Sequence, residues 1–376
     1  MMAGAILLIA GCSADDVVKE TTSEEAIAIS FSCNYDDQEE HPTRAGHQGV
    51  MNTEDLYATG FGVMASTTAG TDPEDNKPDL MYNQKVEFTF VGDMADPLKG
   101  YWSYSPLKYW PTSMTNFYIS AYAPYVEQPI ANPGTTTGIY GISANSVPPY
   151  VNYRRCDKPN QLVDLLWYYV EPASIPAATE QQPRGTLAMK MRHALARLEI
   201  KVALATDPGT TKVLIEKITL TGKMAKTGRL SLSSQETAGS GVDTKYYPVW
   251  SNQVFDKNGS NEDIDHTIEI TNEDNDPDSY GIIESQVRYI PGLPYGWQPA
   301  GLSTTPQDAL NTGDRKGYIY LIPQGELKLT VKVKYHKVTS GSDVAGEKTT
   351  TALTTTVANP LKGNTTYTLN VKLSDI

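Results

Sequence analysis

The chain is poor in the residues that metal, redox and hydrolytic chemistry most often requires. It holds three cysteines and five histidines in 376 residues. The histidines are scattered singly, and no glycine-rich phosphate loop, HExxH or GxSxG occurs. Neither a cofactor nor a metal is expected, and no enzyme class is supported. Positive charge is also short: 31 Lys and Arg against 44 Asp and Glu leave a net charge of −13, which opposes binding to a nucleic-acid backbone. Long apolar runs are missing as well. The longest, residues 3–10, is about half of the roughly 20 residues that a membrane-spanning helix needs. What is abundant is Pro (24), Gly (29) and Tyr (23), a composition that suits short strands joined by turns. The expected class is all-β.

The short apolar run leads into Ile9-Ala10-Gly11-Cys12, which matches a bacterial lipobox. Residues 1–11 are therefore expected to be a signal peptide, with Cys12 as the acylated first residue of the mature chain. The alternative is a buried strand followed by an ordinary cysteine. No Lys or Arg precedes the run, a departure from the usual signal pattern. Ser13, where an Asp would resemble an inner-membrane retention signal, favours the outer membrane. Ala14-Asp15-Asp16 resembles a short acidic export signal for surface lipoproteins. Acyl chains on Cys12 would each contribute about 0.8 kcal/mol per buried methylene. Residues 12–25 are polar and read as a tether.

Beyond the tether the apolar period becomes two. Ile27, Ile29, Phe31 and Cys33 alternate with small or polar residues, giving a strand with one apolar face. A polar, charged stretch containing Arg44 separates this strand from the rest. Further strands are expected over 60–64, 86–91, 109–110, 117–122 and 162–170, then over 187–202, 213–220, 229–232, 318–321, 327–335 and 366–373. Connections too short for crossover helices predict antiparallel pairing. Residues 172–185 read as a linker, so the expectation is an N-terminal domain over 26–185 and a C-terminal domain over 186–376. Apolar parity changes between Met191 and Leu198, which predicts a bulge or bend at 193–197. Lysines alternating through 327–335 suit a half-solvated strand guarded against edge pairing. Residues 233–316 read mainly as loops.

Few residues suggest chemistry. His193, at the parity break, reads either as a ligand or as a backbone-bonded histidine at a bend. Asp274, Asp276 and Asp278 alternate like calcium ligands, but Ser279 and Ser285 stand where the turn glycine and the bidentate glutamate belong. Cys33 and Cys156 could form one disulfide or remain as two thiols. The aromatic run from Tyr101 to Tyr125 reads as core or as a sugar platform.

Several segments together resemble the fimbrillin family of the Bacteroidales, whose members build or decorate type V pili. They are Trp110-Pro111 with Phe117 to Pro124, Asp164-Leu165-Leu166, Met191 to Val202 with its His193-Ala194-Leu195-Ala196-Arg197-Leu198 centre, and Gly363 to Val371. The resemblance implies two transthyretin-like β-sandwich domains and a lipid-anchored life on the outer membrane or in a fimbrium. It also implies partners: other pilus subunits joined by β-strand donation, and a host or bacterial surface ligand. Carried onto this sequence, it makes Ile27, Ile29, Phe31 and Cys33 the face of a removable strand, with proteolytic cleavage between Arg44 and Ala45. Only four residues follow the core of the closing strand, where stalk subunits carry a donor segment, so the resemblance points to a tip or accessory subunit. The alternative is a glycan-binding outer-membrane lipoprotein.

Overall fold

A computed structural model of the chain describes residues 28–35, 51, 53–66, 78, 80–91, 100–110, 117–143, 149–156, 163–170, 186–240, 245–271, 280–282, 301–312, 315–339 and 342–374. In chain order the first half carries β1 (Ser30–Tyr35), the short helix α1 (Thr53–Thr59), β2 (Phe61–Ser66), β3 (Met81–Phe90), β4 (Gly100–Ser103), β5 (Tyr118–Ala123), β6 (Gly138–Ile142), β7 (Tyr150–Arg154) and β8 (Leu166–Val170). There follow β9 (Thr186–His193), β10 (Ala196–Leu204), β11 (Thr211–Gly222), β12 (Thr227–Ala238), β13 (Lys245–Val254) and β14 (His266–Ile270). The short β15 (Tyr280–Ile282), β16 (Gln307–Asp308), β17 (Leu310–Thr312), β18 (Arg315–Lys316) and β19 (Ile319–Leu321) precede the long β20 (Leu327–Thr339), β21 (Ser342–Ala358) and β22 (Thr365–Leu373). Among the described residues no helix is long and apolar enough to cross a membrane.

The period-two pattern becomes packing most directly in β20. Leu327, Leu329, Val331, Val333 and Tyr335 are buried, while Lys328 and Lys332 face out and Lys334 pairs with Glu216 at 2.6 Å. The edge-guard role read into these lysines is not what the fold uses them for. β20 lies inside its sheet, in the order β14-β11-β20-β21, so the lysines solvate a face rather than guard an edge.

A seven-stranded sheet runs β1-β9-β8-β5-β2-β3-β4. Its terminal strands β1 and β4 lie against each other, so the sheet wraps around an apolar cluster that includes Phe31, Phe61, Ile119 and Met191. β8 is buried on both faces. Leu166 and Tyr168 point into that cluster, and Trp167 and Tyr169 into a second one covered by the β13-β12-β7-β6 sheet. A third cluster is formed by β10, β11, β14, β20 and β22. Strands on either side of residue 185 share sheets: β9 joins β1 and β8, and β6 and β7 join β12 and β13.

Three expectations are corrected. Among the described residues pairing is antiparallel except at β1 with β9 and β10 with β22, which are parallel. Both parallel pairs join strands far apart in sequence, so no hairpin turn dictates their polarity. Residues 233–316 contain β13 to β18 in addition to loops. The first strand begins at Ser30 and runs to Tyr35, beyond the expected end at Cys33, while Ile27 lies outside the described residues.

The parity break has a clear cause. Met189 and Met191 belong to the first cluster, Ala194 and Leu195 to the second, and Ala196, Leu198 and Ile200 to the third. The chain therefore changes core as it passes from β9 to β10, and the inward face changes with it.

Candidate strand-binding groove

β1 occupies a slot between β9 and the turn after β4. Its alternation places Ile29, Phe31 and Cys33 inward, each 5% exposed or less, with Ser30 and Ser32 half-buried. On one edge it runs parallel to β9, from Ser30 opposite Thr186 to Tyr35 opposite Met191, with the Ser30 and Thr186 hydroxyls 2.9 Å apart. On the other edge the Ile29 N–H donates to the Lys108 carbonyl at 2.8 Å. The Tyr104 hydroxyl donates to the Ile29 carbonyl at 2.7 Å, and Ala28 bridges to Tyr109. The Phe31 ring lies edge-on to Phe61 at 6.0 Å and tilted against Tyr104 at 5.5 Å. Burial pushes the Cys33 thiol up to about 12. Cys33 and Cys156 are both buried and not joined to each other, so the disulfide alternative is not realised. Among the sites expected from sequence, Ile29, Phe31 and Cys33 are brought together on one inward face. Cys12, Arg44 and Ala45 lie outside the described residues, as do Asp274, Asp276 and Asp278.

Tyr104 is the groove residue that sequence reading missed. It belonged to an aromatic run, but nothing local shows that its hydroxyl reaches a carbonyl 75 residues away. The rest of that run divides by face. Trp102 packs on Phe61 at 4.8 Å and Phe88 at 5.1 Å, and Tyr57 of α1 stacks on Phe88 at 3.8 Å. Tyr101 and Tyr109 are exposed. Trp102 is thus a packing residue, and its loss would disturb the sheet before any sugar contact.

Below the groove, the β9–β10 junction is held by a buried polar network. Asp164, fully buried ahead of β8, places Oδ2 2.7 Å from Nδ1 of His193. The same carboxylate accepts the backbone N–H of Met51 at 3.2 Å and that of Leu165 at 2.8 Å. The Arg197 guanidinium, packed over the Tyr318 ring, lies 3.2 Å from His193 Nε2. A guanidinium only donates, so Nε2 must accept, and His193 is the neutral tautomer with its proton on Nδ1 facing Asp164. Burial and the Arg197 charge hold its pKa well below the ordinary 6.5. His193 therefore faces a buried carboxylate. The closing turn seals the same junction: a Cβ on Gly363 would sit 2.3 Å from the Ala194 carbonyl, and the Asn364 N–H donates to Leu195 at 3.1 Å.

The neutral buried histidine predicts a pH dependence. The unfolded chain binds a proton near pH 6.5 and the folded one does not, so this contribution is complete above that pH and falls as pH drops below it. Urea titrations between pH 6.5 and 5 should show stability lost by up to about 1.4 kcal/mol per pH unit, a slope that His193→Gln removes. An unchanged slope in that variant would assign the titration elsewhere.

Among the described residues the architecture is mostly β, with several sheets and one short helix, and it defines a multi-sheet β protein with β1 at a sheet edge. A fimbrial protein from Bacteroides vulgatus shares this fold: the match covers 92% of this chain and 95% of that one at 18% identity, with a TM-score of 0.53. Structures from Bacteroides uniformis and Bacteroides ovatus, both provisionally assigned to cell adhesion, match at 10% and 13% identity. Their TM-scores are 0.39 and 0.40, with 94% and 93% of each chain pair covered. No curated protein matches the chain. The model of the Fimbrillin-like family matches residues 43–376, and the chain belongs to that family.

Proposed function

We propose that this protein is a non-enzymatic cell-surface subunit of a fimbrium, or an adhesin of the same kind, whose first strand is a replaceable plug. In this reading Cys12 carries the lipid that holds the protein to the outer membrane. Cleavage after Arg44 then frees β1, and a strand from another subunit takes its place. The observation that carries the proposal is the slot itself: β1 is an edge strand whose inward side chains are buried among β2, β9 and Tyr104. Burial of a side chain such as Ile29 or Phe31 contributes about 1.5–3 kcal/mol, and an emptied slot would also bare one edge of β9. Such a surface favours occupation by another apolar strand. The family match begins at residue 43, after β1 and next to Arg44, which suits a strand that is separable from the rest. The fimbrial protein of similar fold adds support for the setting.

N-terminal sequencing of protein recovered from cells tests this. Acylated Cys12 on the unassembled form and Ala45 on the assembled form are expected. Cys33 supplies a second readout. Its buried, protonated thiol should resist iodoacetamide in the intact chain and react at least tenfold faster once β1 has left. Assembled protein that still begins before β1 would refute plug removal. Incubating the cleaved protein alone then separates roles: polymers indicate a stalk subunit, and capping of a separate stalk subunit indicates a tip or accessory one.

A further inference from the structure

The slot does not treat its three inward positions alike. At the first, Ile29 is fully buried and both of its backbone polar groups are held on the side away from β9, by the Lys108 carbonyl and the Tyr104 hydroxyl. At the second, Phe31 sits in an aromatic recess, its ring meeting Phe61 edge-on and Tyr104 at a tilt. At the third, Cys33 is 2% exposed and lies in the same buried cluster as Tyr168. Added methylenes at so buried a position would have to displace packed neighbours. Tyr104 takes part twice, as a wall of the aromatic recess and as a donor to the backbone ahead of it.

We propose that the groove selects its occupant by shape, accepting a strand with an aliphatic, an aromatic and a small side chain at successive inward positions, and that Tyr104 clasps the backbone at the first of them. This rests on the strand-exchange reading, and it narrows the partner from any apolar strand to a segment of another subunit with that order. Alternation alone would not discriminate: an aromatic in the first position would overpack a fully buried site, and an aliphatic in the second leaves the ring-lined recess underfilled. The clasp is blind to side chains, because it bonds a carbonyl, so it sets how long a strand stays and the recesses set which strand stays.

The test uses the full chain with a site-specific protease sequence inserted between Arg44 and Ala45. After cleavage, labelled peptides spanning residues 26–36 compete with the resident β1 fragment, and replacement is followed by fluorescence anisotropy. Because sequence changes are placed on the peptide, folding of the protein is not at stake. The unaltered peptide should exchange in. One carrying Ile29→Phe with Phe31→Ile, identical in composition, should bind at least tenfold more weakly, and one carrying Cys33→Leu about tenfold more weakly. In the protein, Tyr104→Phe keeps the ring and removes the hydroxyl. It should release the unaltered peptide about fivefold faster while preserving the preference over the swapped one. If all peptides exchange equally, selection by shape is wrong and strand exchange survives. If release from the Tyr104→Phe protein is unchanged, the clasp is wrong. If not even the unaltered peptide exchanges, strand exchange itself fails, and this inference with it.

Discussion

Phe31→Ala should lower the unfolding free energy of the intact protein by about 3–5 kcal/mol, measured by urea denaturation at neutral pH. The ring is 5% exposed and meets Phe61 and Tyr104, so truncation removes apolar burial and leaves a void between two aromatic walls. β1 ends its sheet, and its ladder on one side runs to β9 alone. The loss should therefore appear first as faster hydrogen exchange in residues 187–191, ahead of global unfolding. Tyr101→Ala supplies the contrast. That ring is 57% exposed, and its removal should change stability by no more than about 0.5 kcal/mol. If Phe31→Ala costs under about 1 kcal/mol, β1 is a loosely held strand and the plug interpretation loses its energetic basis.

The second large effect is expected at Asp164. Asp164→Ala strips the acceptor from the Met51 and Leu165 backbone N–H groups and from His193 Nδ1. These donors lie in the protein interior, and leaving them without an acceptor should cost about 3–5 kcal/mol in the same urea assay. Asp164→Asn should fall between, because one oxygen still accepts while the new amide N–H₂ faces a donor. Burial and Arg197 would still hold His193 neutral, so both variants should keep the pH slope assigned to His193. An Asp164→Ala protein as stable as the parent would mean that other groups hold the β9–β10 junction.

That junction explains why separated sequence motifs belong together. Asp164-Leu165, His193 through Leu198 and Gly363-Asn364 are distant in the chain. In the fold Asp164 meets His193, the Ala194 N–H donates to the Leu165 carbonyl at 2.7 Å, and Gly363 lies on Ala194. The Trp250 indole N–H closes the set by donating to the Ala194 carbonyl at 2.9 Å. One crossing point between cores thus makes demands on three segments at once: a carboxylate, a histidine and a residue without a side chain. From sequence, His193 was visible as a break in parity, but its partner was not, because hydrogen bonding of this kind is set by which strands become neighbours.

Sequence by itself determined the strands whose information is local. The inward alternation of Ile29, Phe31 and Cys33 and that of Leu327 to Tyr335 follow from the period of an extended backbone, and the parity change near His193 is likewise readable from neighbours in the chain. Tertiary structure decided what each strand faces. It placed β9 beside β1 in parallel, set β20 inside a sheet rather than at its edge, and brought Tyr104 to the carbonyl of Ile29. The physical reason is that side-chain periodicity reports which face is apolar, whereas pairing and polarity depend on loop closure and on packing between strands far apart in the chain.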